Sequence, residues 1–599
     1  MTVSSFTTRP ELLGSFGMAA STHWLATGAA MSVLERGGNA FDAAVAAALV
    51  LHVVEPHNNG PAGDVPILLR SGRGGPVEVL CGQGPAPAGA TIAHYRGEGL
   101  DLIPRSGLLA AVVPGAMPAW LTLLRDHGTW SVADAAAPAI GYARAGWPVA
   151  TGTAAAVNGS RLLFEQLWPT SAAYWLPGGR APQPTEPRQN PALADTWDRL
   201  LAATAGESGR EAQIDLVLRC WQEGFVAAAI DRFVRHPVGD GVGHTHAGVL
   251  RAEDLAAWQP AYEPSVSYDY AGWTVHKCGP WSQGPVLLQS LALLEQLPID
   301  GIDVYGTDFV HLVAEVMKLS YADRDTFYGD PSRVAVPLDV LLSVGYNRQR
   351  ATLVDLTRAS TQYRPGMVEG FGHPLDYAAA VARQDVAREW ARRVSGEAAG
   401  SGPPRGDTCH LDVADRWGNV VSATPSGGWL QSSPHIPELG FPLGSRAQMF
   451  WLDEDHPSAL APGKRPRTTL TPSLATAEEG RTALAFGTPG GDGQDQWQLQ
   501  FFLRMVHGGL NLQQAIDAPA FRSSHWPDSF WPRQAYPNRL LVEGRFGAEV
   551  LDGLTARGHR VSEVDPWSEG AISAVLSPAQ GFLRAAANPR GMQGYAAGR

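Results

Sequence analysis

Residues Gly406–Trp429 read GDTCHLDVADRWGNVVSATPSGGW. Ahead of them, Ser395–Asp407 is SGEAAGSGPPRGD, a run of small, polar, Gly- and Pro-rich residues with the composition of a linker. At Thr408 the pattern changes to a strand-like alternation, which predicts strands over Cys409–Ala414 and Asn419–Thr424. An exposed linker running into a Thr at the head of a buried strand is the layout of a self-cleaving precursor. A Thr released as a new N-terminus carries nucleophile and base on one residue, because its own α-amine can take the hydroxyl proton. The expectation is a cut between Asp407 and Thr408, giving a large chain, 1–407, and a small one, 408–599. Taken by itself, the same stretch also fits an ordinary threonine at the start of a strand.

Working outward, the chain has 599 residues, enough to bury a large core. Its charge is −12 with a pI near 5.8, and no Lys/Arg stripe stands out, which argues against nucleic acid as a partner. Four scattered cysteines (Cys81, Cys220, Cys278, Cys409) show neither a CxxC spacing nor a His-rich partner, so neither a disulfide framework nor a zinc site is expected. The N-terminus lacks a charged segment followed by an apolar one, and the longest apolar run, Ala43–Val54, is broken by His52 and too short to span a bilayer. The expectation is a cytoplasmic protein that does not engage a membrane.

Two helices are predicted near the start, Leu25–Arg36, ended by Gly37-Gly38, and an Ala-rich one after Asn39. A tight loop, VVEPHNNGPAGD, leads to a strand at Val65–Leu69 and reads either as a site-shaping loop or as a plain connection. Gly107–Ala145 reads as strand, Pro114-Gly115 turn, helix. His311–Asp325 reads as a helix with Glu315 and Lys318 three apart, ending in the salt-bridging cluster Asp323-Arg324-Asp325. From Asp385 to Asp407 composition shifts to Ala, Gly, Ser, Arg and Pro. Beyond it, strands are also predicted at Thr482–Thr488 and Phe582–Ala587, with helices at Gln496–His507 and Leu512–Ala518. Strands with helices between them suggest an α/β fold, an αββα sandwich with helical layers outside two stacked sheets.

Several blocks occur together in order: STHWLATGAAMSVLERGGNAFDAAVAAALVLHVVEPHNNGPAGD, PWSQGPVLL, YADRDTFYGDP, DTCHLDVADRWGNVVSAT, PGKRPRTTLTPSL, GTPGGDGQDQW, GGLNLQQAIDAPAF and AANPRG. With these the chain resembles the γ-glutamyltransferase family of N-terminal-nucleophile hydrolases over nearly its whole length. The resemblance implies cleavage before Thr408, subunits that stay associated, and Thr408 Oγ as the nucleophile toward a small-molecule carbonyl, with no cofactor or metal. It implies that Gly490 and Gly491 supply the oxyanion hole through backbone N–H groups. Ser426 falls where the family has a second Thr beside the nucleophile, and Thr468 and Thr469 on a Ser-Ser pair that contacts the substrate carboxylate.

Three departures follow. Ile92 stands where the family has an Arg that clamps the γ-glutamyl carboxylate. In the block Gln448-Met449-Phe450-Trp451, Trp451 stands where an acid holds the α-ammonium. Gly428, before Trp429, replaces an Asn. Ile cannot replace a directional Arg–carboxylate pair. The glutamate pocket is therefore expected to be rebuilt around Trp429, Gln431, Phe450, Trp451, Gln494, Asp495, Gln496 and Trp497, with His435 and Arg446 as candidate acid binders. Three functions stay open. The first is an acylase for a non-glutamyl amide. The second is an antibiotic-biosynthesis homologue, of the lincomycin and pyrrolobenzodiazepine type, that cleaves a carbon–carbon bond beside a carbonyl in 4-alkylproline precursor formation. The third is true γ-glutamyl transfer.

Overall fold

The computed structural model describes residues 6–386, 388, 389 and 408–599. Two seven-stranded antiparallel sheets form its centre. In the first, Leu411–Asp415 lies between Gly17–Ser21 and Val420–Ala423, and the sheet continues through Val65–Arg70, Val77–Gly82 and Ala261–Pro264, with Tyr595–Gly598 at the far edge. Leu411 pairs with Ser21 on one side and Ala423 on the other. The second sheet runs Leu12–Gly14, Leu583–Ala587, Ser573–Ser577, Thr482–Gly487, Ser473–Ala477, Trp273–Lys277, Val266–Tyr270.

Side-chain alternation along these strands builds three apolar layers. Leu411, Val413, Val421 and Ala423 point outward, into a core shared with helices Trp24–Glu35, Ala40–Val54 and Ala116–His127. Ala414, Val420, Met18 and Leu68 point inward and meet Leu474, Ala483, Ala485 and Val575 of the second sheet. Phe486, Leu484 and Ala475 face the opposite way, under helices Pro285–Leu294, Thr307–Phe327 and Gln494–Val506. The result is the expected four-layer αββα sandwich.

Local chemistry explains the outer helices. Ala40–Val54 begins at a capping box, Asn39 with Asp42, and every residue in it is buried. The Asp42 carboxylate also accepts the N–H groups of Thr129 and Trp130, locking the helix to the turn ahead of Val132–Ala145. On Thr307–Phe327 the expected pairs form: Lys318 with Glu315 at 2.6 Å, Arg324 with Asp325 at 2.7 Å, Asp323 with Arg350 at 2.9 Å.

Some expectations need correction. Residues 107–113 form no strand. A 3-10 turn, Leu108–Ala110, is followed by buried extended chain, and Val113 N–H donates to Pro85 rather than joining a sheet. The strand predicted from Cys409 starts at Leu411, because Thr408 and Cys409 pair with the 425–426 turn instead. Asp385, Val386, Arg388 and Glu389 are helical, while the rest of the predicted linker and Asp407 lie outside the described residues.

Candidate active site

Thr408 stands just ahead of the central strand, 3 % exposed, in an isolated antiparallel bridge with Ser426. Its hydroxyl donates to Ser426 Oγ at 3.2 Å. Ser426 is fixed in turn by Asp64, with backbone hydrogen bonds in both directions (2.8 and 2.9 Å). The loop before Asp64 comes so close that a Cβ on Gly63 would lie 2.1 Å from the Ser426 carbonyl, and one on Gly60 2.6 Å from that of Gly428. Only glycine allows that approach. The Gly- and Asn-rich loop at 58–63 is therefore part of the site wall, not a plain connection. Gly428 has φ +66 and a Cβ there would crowd the 60–63 backbone, so this glycine serves loop docking.

Below Thr408 lies a fully buried polar network. His410 Nε2 is 3.0 Å from both Asp412 oxygens, and Nδ1 is 2.9 Å from Thr424 Oγ1. Asp412 also accepts the hydroxyls of Ser422 and Ser573, which ties the first sheet to the second. Cys409 points the other way, its thiol 3.2 Å from Glu55, whose carboxyl burial pushes up and which also accepts from Thr22 at 2.6 Å.

The second sheet delivers the facing half. Its strand Thr482–Gly487 ends against His410: a Cβ on Gly487 would lie 2.3 Å from that ring. The chain then turns through Thr488-Pro489 to Gly490 (φ +121) and Gly491 (φ +55), conformations that favour glycine. Behind the turn, the Trp497 ring fills the space a Cβ on Gly490 or Gly493 would need, at 2.2 and 2.5 Å. Gln283 donates to the Gly491 carbonyl at 3.3 Å and Tyr321 to that of Asp492 at 2.6 Å. The Asp492 carboxylate accepts from Arg324 at 2.5 Å and from Ser529 N–H and Oγ. Arg324 pulls Asp492 below the ordinary carboxylate range despite its burial. These anchors, Arg324, Tyr321, Gln283 and Ser529, are not marked in the sequence, where the Asp323–Asp325 cluster reads only as structural salt bridges.

The predicted pocket residues divide. Ile92 and Phe450 share one apolar cluster with Tyr95, Leu109 and Ala447. Trp429 donates its indole N–H to Asn58 O and lies 6.2 Å from Phe530. Thr469 Oγ1 is buried with no partner, whereas the Thr468 hydroxyl accepts weakly from Leu470 N–H. Gln448 is saturated by Ser445, Arg105 and Trp531. Gln431 Nε2 donates to His57 O.

Others are spoken for elsewhere. Asp495 pairs with Lys277 at 3.1 Å, Gln494 Oε1 accepts from Thr471 N–H, and Gln496 donates to the Asp492 and Ser523 carbonyls. With Trp497 they form the helix start behind the glycine turn rather than a pocket wall. Arg446 forms a two-point pair with Asp64 (2.7 and 3.0 Å), both side chains about 2 % exposed. His435 stacks on Tyr174 at 4.4 Å, and burial lowers its pKa to about 4. Neither is left to bind an acid.

Away from the site, His311, Glu315 and His559 bring possible metal-ligand atoms within 4.8 Å of one another. Their chemistry is already internal. The ring nitrogens of His311 and His559 bond each other at 2.9 Å, and Lys318 neutralises Glu315. The four cysteines are free, and among the described residues no helix is long and apolar enough to cross a membrane.

A threonine ahead of the central strand of an αββα sandwich is the layout of the N-terminal-nucleophile hydrolases, and the family match makes this chain an enzyme of that class. A family model described as Gamma-glutamyltranspeptidase matches residues 26–598, and the chain belongs to that family. It is similar to the glutathione hydrolase-like YwrD proenzyme of Bacillus subtilis (strain 168), 30 % identical over 586 residues covering 97 % of this chain and 98 % of that protein. Among solved structures it resembles LmbA2991HD, with 54 % identity, a TM-score of 0.92, and 99 % and 100 % of the two chains covered. It also resembles the cephalosporin acylase from Bacillus halodurans, with 27 % identity, a TM-score of 0.80, and 100 % and 98 % covered.

Proposed function

We propose that this protein is a self-processing N-terminal-threonine acylase for a small, non-glutamyl carbonyl compound. In processing, Thr408 Oγ attacks the Asp407 carbonyl, the peptide shifts to an ester, and water opens it to leave chains 1–407 and 408–599 associated. In turnover the new α-amine of Thr408 takes the Oγ proton as Oγ attacks the substrate carbonyl. The N–H groups of Gly490 and Gly491 receive the oxyanion, and each such donor is worth about 10²–10³ in rate. The leaving amine takes the proton back, and water releases the acyl group. Ser426, held by Asp64, orients Oγ. Of the other pocket residues, Thr469 keeps a buried hydroxyl without a partner, and Ile92, Trp429 and Trp451 give apolar surface, with Gln448, Thr468 and Gly428 shaping the wall.

The observation that carries the non-glutamyl reading is the company of Ile92. It packs with Phe450 and Leu109 in an apolar cluster where a glutamyl carboxylate would need a guanidinium, and the nearby Arg446 is consumed by Asp64. Relatives lend support: the glutathione hydrolase-like YwrD protein is a proenzyme, in keeping with self-processing, and the Bacillus halodurans protein is a cephalosporin acylase. The purified enzyme should hydrolyse anilides of acyl groups that lack an α-amino group and leave γ-glutamyl-p-nitroanilide almost untouched. Turnover of the glutamyl anilide at about 10 s⁻¹ or faster, an ordinary enzymatic rate, contradicts the reading.

A second reading keeps the nucleophile and changes the bond, to carbon–carbon cleavage beside a carbonyl in 4-alkylproline precursor formation. What supports it is the pattern of identity, 54 % with LmbA2991HD against 30 % or less with the other two, so the relatives named as a glutathione hydrolase-like protein and an acylase are the more distant ones. Release of a small diacid such as oxalate from a diketo acid selects it.

A further inference from the structure

Residues 528–534 read DSFWPRQ and carry no motif, yet they lie against the glycine turn. Ser529 donates N–H and hydroxyl to Asp492 at 2.8 and 2.6 Å. The Phe530 ring comes within 3.0 Å of where a Cβ on Gly491 would sit. Three residues on, Arg533 has φ +62. A non-glycine residue there costs about 1–2 kcal/mol, so surrounding contacts must hold it.

The Arg533 backbone N–H donates to Phe530 O at 2.7 Å, and one end of its side chain anchors it as well. One Nη donates to the carbonyls of Gln448 (2.8 Å) and Phe450 (3.0 Å), and the guanidinium lies 4.1 Å over the Trp451 ring. The residue is 2 % exposed. Its Nε and other Nη make no hydrogen bond, and neither is sealed off as an enclosed atom. Among the described residues no carboxylate pairs with it: Asp325 and Asp492 are committed to Arg324 at 2.7 and 2.5 Å. Burial, then the neighbouring Arg467, lowers its pKa to about 9, so it stays charged at neutral pH. Arg383 adds a second guanidinium, 5.9 Å from the Trp451 ring.

A buried, unpaired guanidinium is costly until a counter-charge arrives, and its planar fork suits a carboxylate. The geometry points to Arg533, seated on Trp451, as the residue that receives a carboxylate of the substrate, so that the acyl group is anionic: an oxo-acid or the half-amide of a small dicarboxylic acid. Phe530, against Gly491, is three residues away along the chain, so Arg533 belongs to the segment that lines the glycine turn, and the assignment puts the carboxylate and the attacked carbonyl on one small molecule. The same charge repels the ammonium of a glutamyl group.

The inference rests on the reading that places the carbonyl at Thr408, but binding can be measured without turnover. Calorimetry of the purified protein with succinate, glutarate and neutral glutaramide reads it directly. Succinate or glutarate should bind the wild type, R533Q should bind the better of the two at least about tenfold more weakly, and glutaramide should not bind. R533K, which keeps the charge and loses the fork, should fall between. It carries the test if R533Q does not fold. Neither diacid binding the wild type, glutaramide binding as well as glutarate, or R533K and R533Q matching the wild type would overturn the assignment. An enzyme that binds glutarate through Arg533 yet is never cut at Thr408 would sink the acylase reading and leave this one standing.

Discussion

Replacing Arg446 by Met isolates the pair on which Ser426, the hydrogen-bond partner of Thr408, depends. Arg446 meets Asp64 through two hydrogen bonds, both side chains about 2 % exposed, and Asp64 holds Ser426 by two backbone hydrogen bonds. Breaking a buried pair from one side strands the other charge and costs about 3–5 kcal/mol. Unfolding entropy near 2.1 cal/mol/K per residue gives about 1.3 kcal/mol/K for 599 residues melting as one unit, so Tm should fall by about 2–4 °C. Burial already raises the Asp64 pKa and Arg446 opposes that rise. Without Arg446 the carboxyl moves further up. Protonation then removes the stranded charge, so the variant's deficit should shrink as pH falls from 8 toward 5. Scanning calorimetry of wild type, Arg446→Met and the double variant Asp64→Asn/Arg446→Met tests this, with the double variant recovering part of the loss. Equal melting of the single variant and the wild type, or a deficit that does not change with pH, refutes the reasoning.

Gly487→Ala should be more damaging than a surface change of the same size. The new methyl would meet the His410 ring at 2.3 Å, and overpacking of this kind costs about 1–3 kcal/mol. Displaced His410 should also slow self-cleavage on a denaturing gel. His52 and His57 are buried, and burial lowers both to a pKa of about 3. A histidine whose folded pKa lies below its unfolded value gives full stability above about 6.5 and loses it as pH falls, about 1.4 kcal/mol per unit for each ring. Tm should therefore drop between pH 7 and 5, less steeply in His52→Leu, whose native ring has no hydrogen-bond partner.

Much of the fold was legible because its signals are local. The Ala-rich run after Asn39 with its capping box, the alternation at 409–424, and the glycines at 37 and 38 each specify an element by short-range chemistry. Thr408, Ser426 and the Gly490-Gly491 turn were legible as a pattern, and the fold sets the two halves against each other through His410 and Gly487. Charges were harder to place, because whether an ion is free depends on what lies opposite in space. Arg446 read as a possible acid binder, yet its partner Asp64 is 382 residues away in sequence. Arg533 sits in a segment without periodicity, and only its backbone and its missing partner set it apart. Gln494–Trp497 read as pocket because they follow the glycines, whereas the helix turns them away behind them.

Intact-mass analysis of the purified protein, beside Thr408→Ala, shows whether Thr408 cuts the chain ahead of itself. Two wild-type chains are expected, 1–407 and 408–599, the second with free threonine at its start, and a single uncut chain for Thr408→Ala. A wild type that stays in one piece, or a Thr408→Ala protein cut at the same bond, would contradict self-cleavage by Thr408.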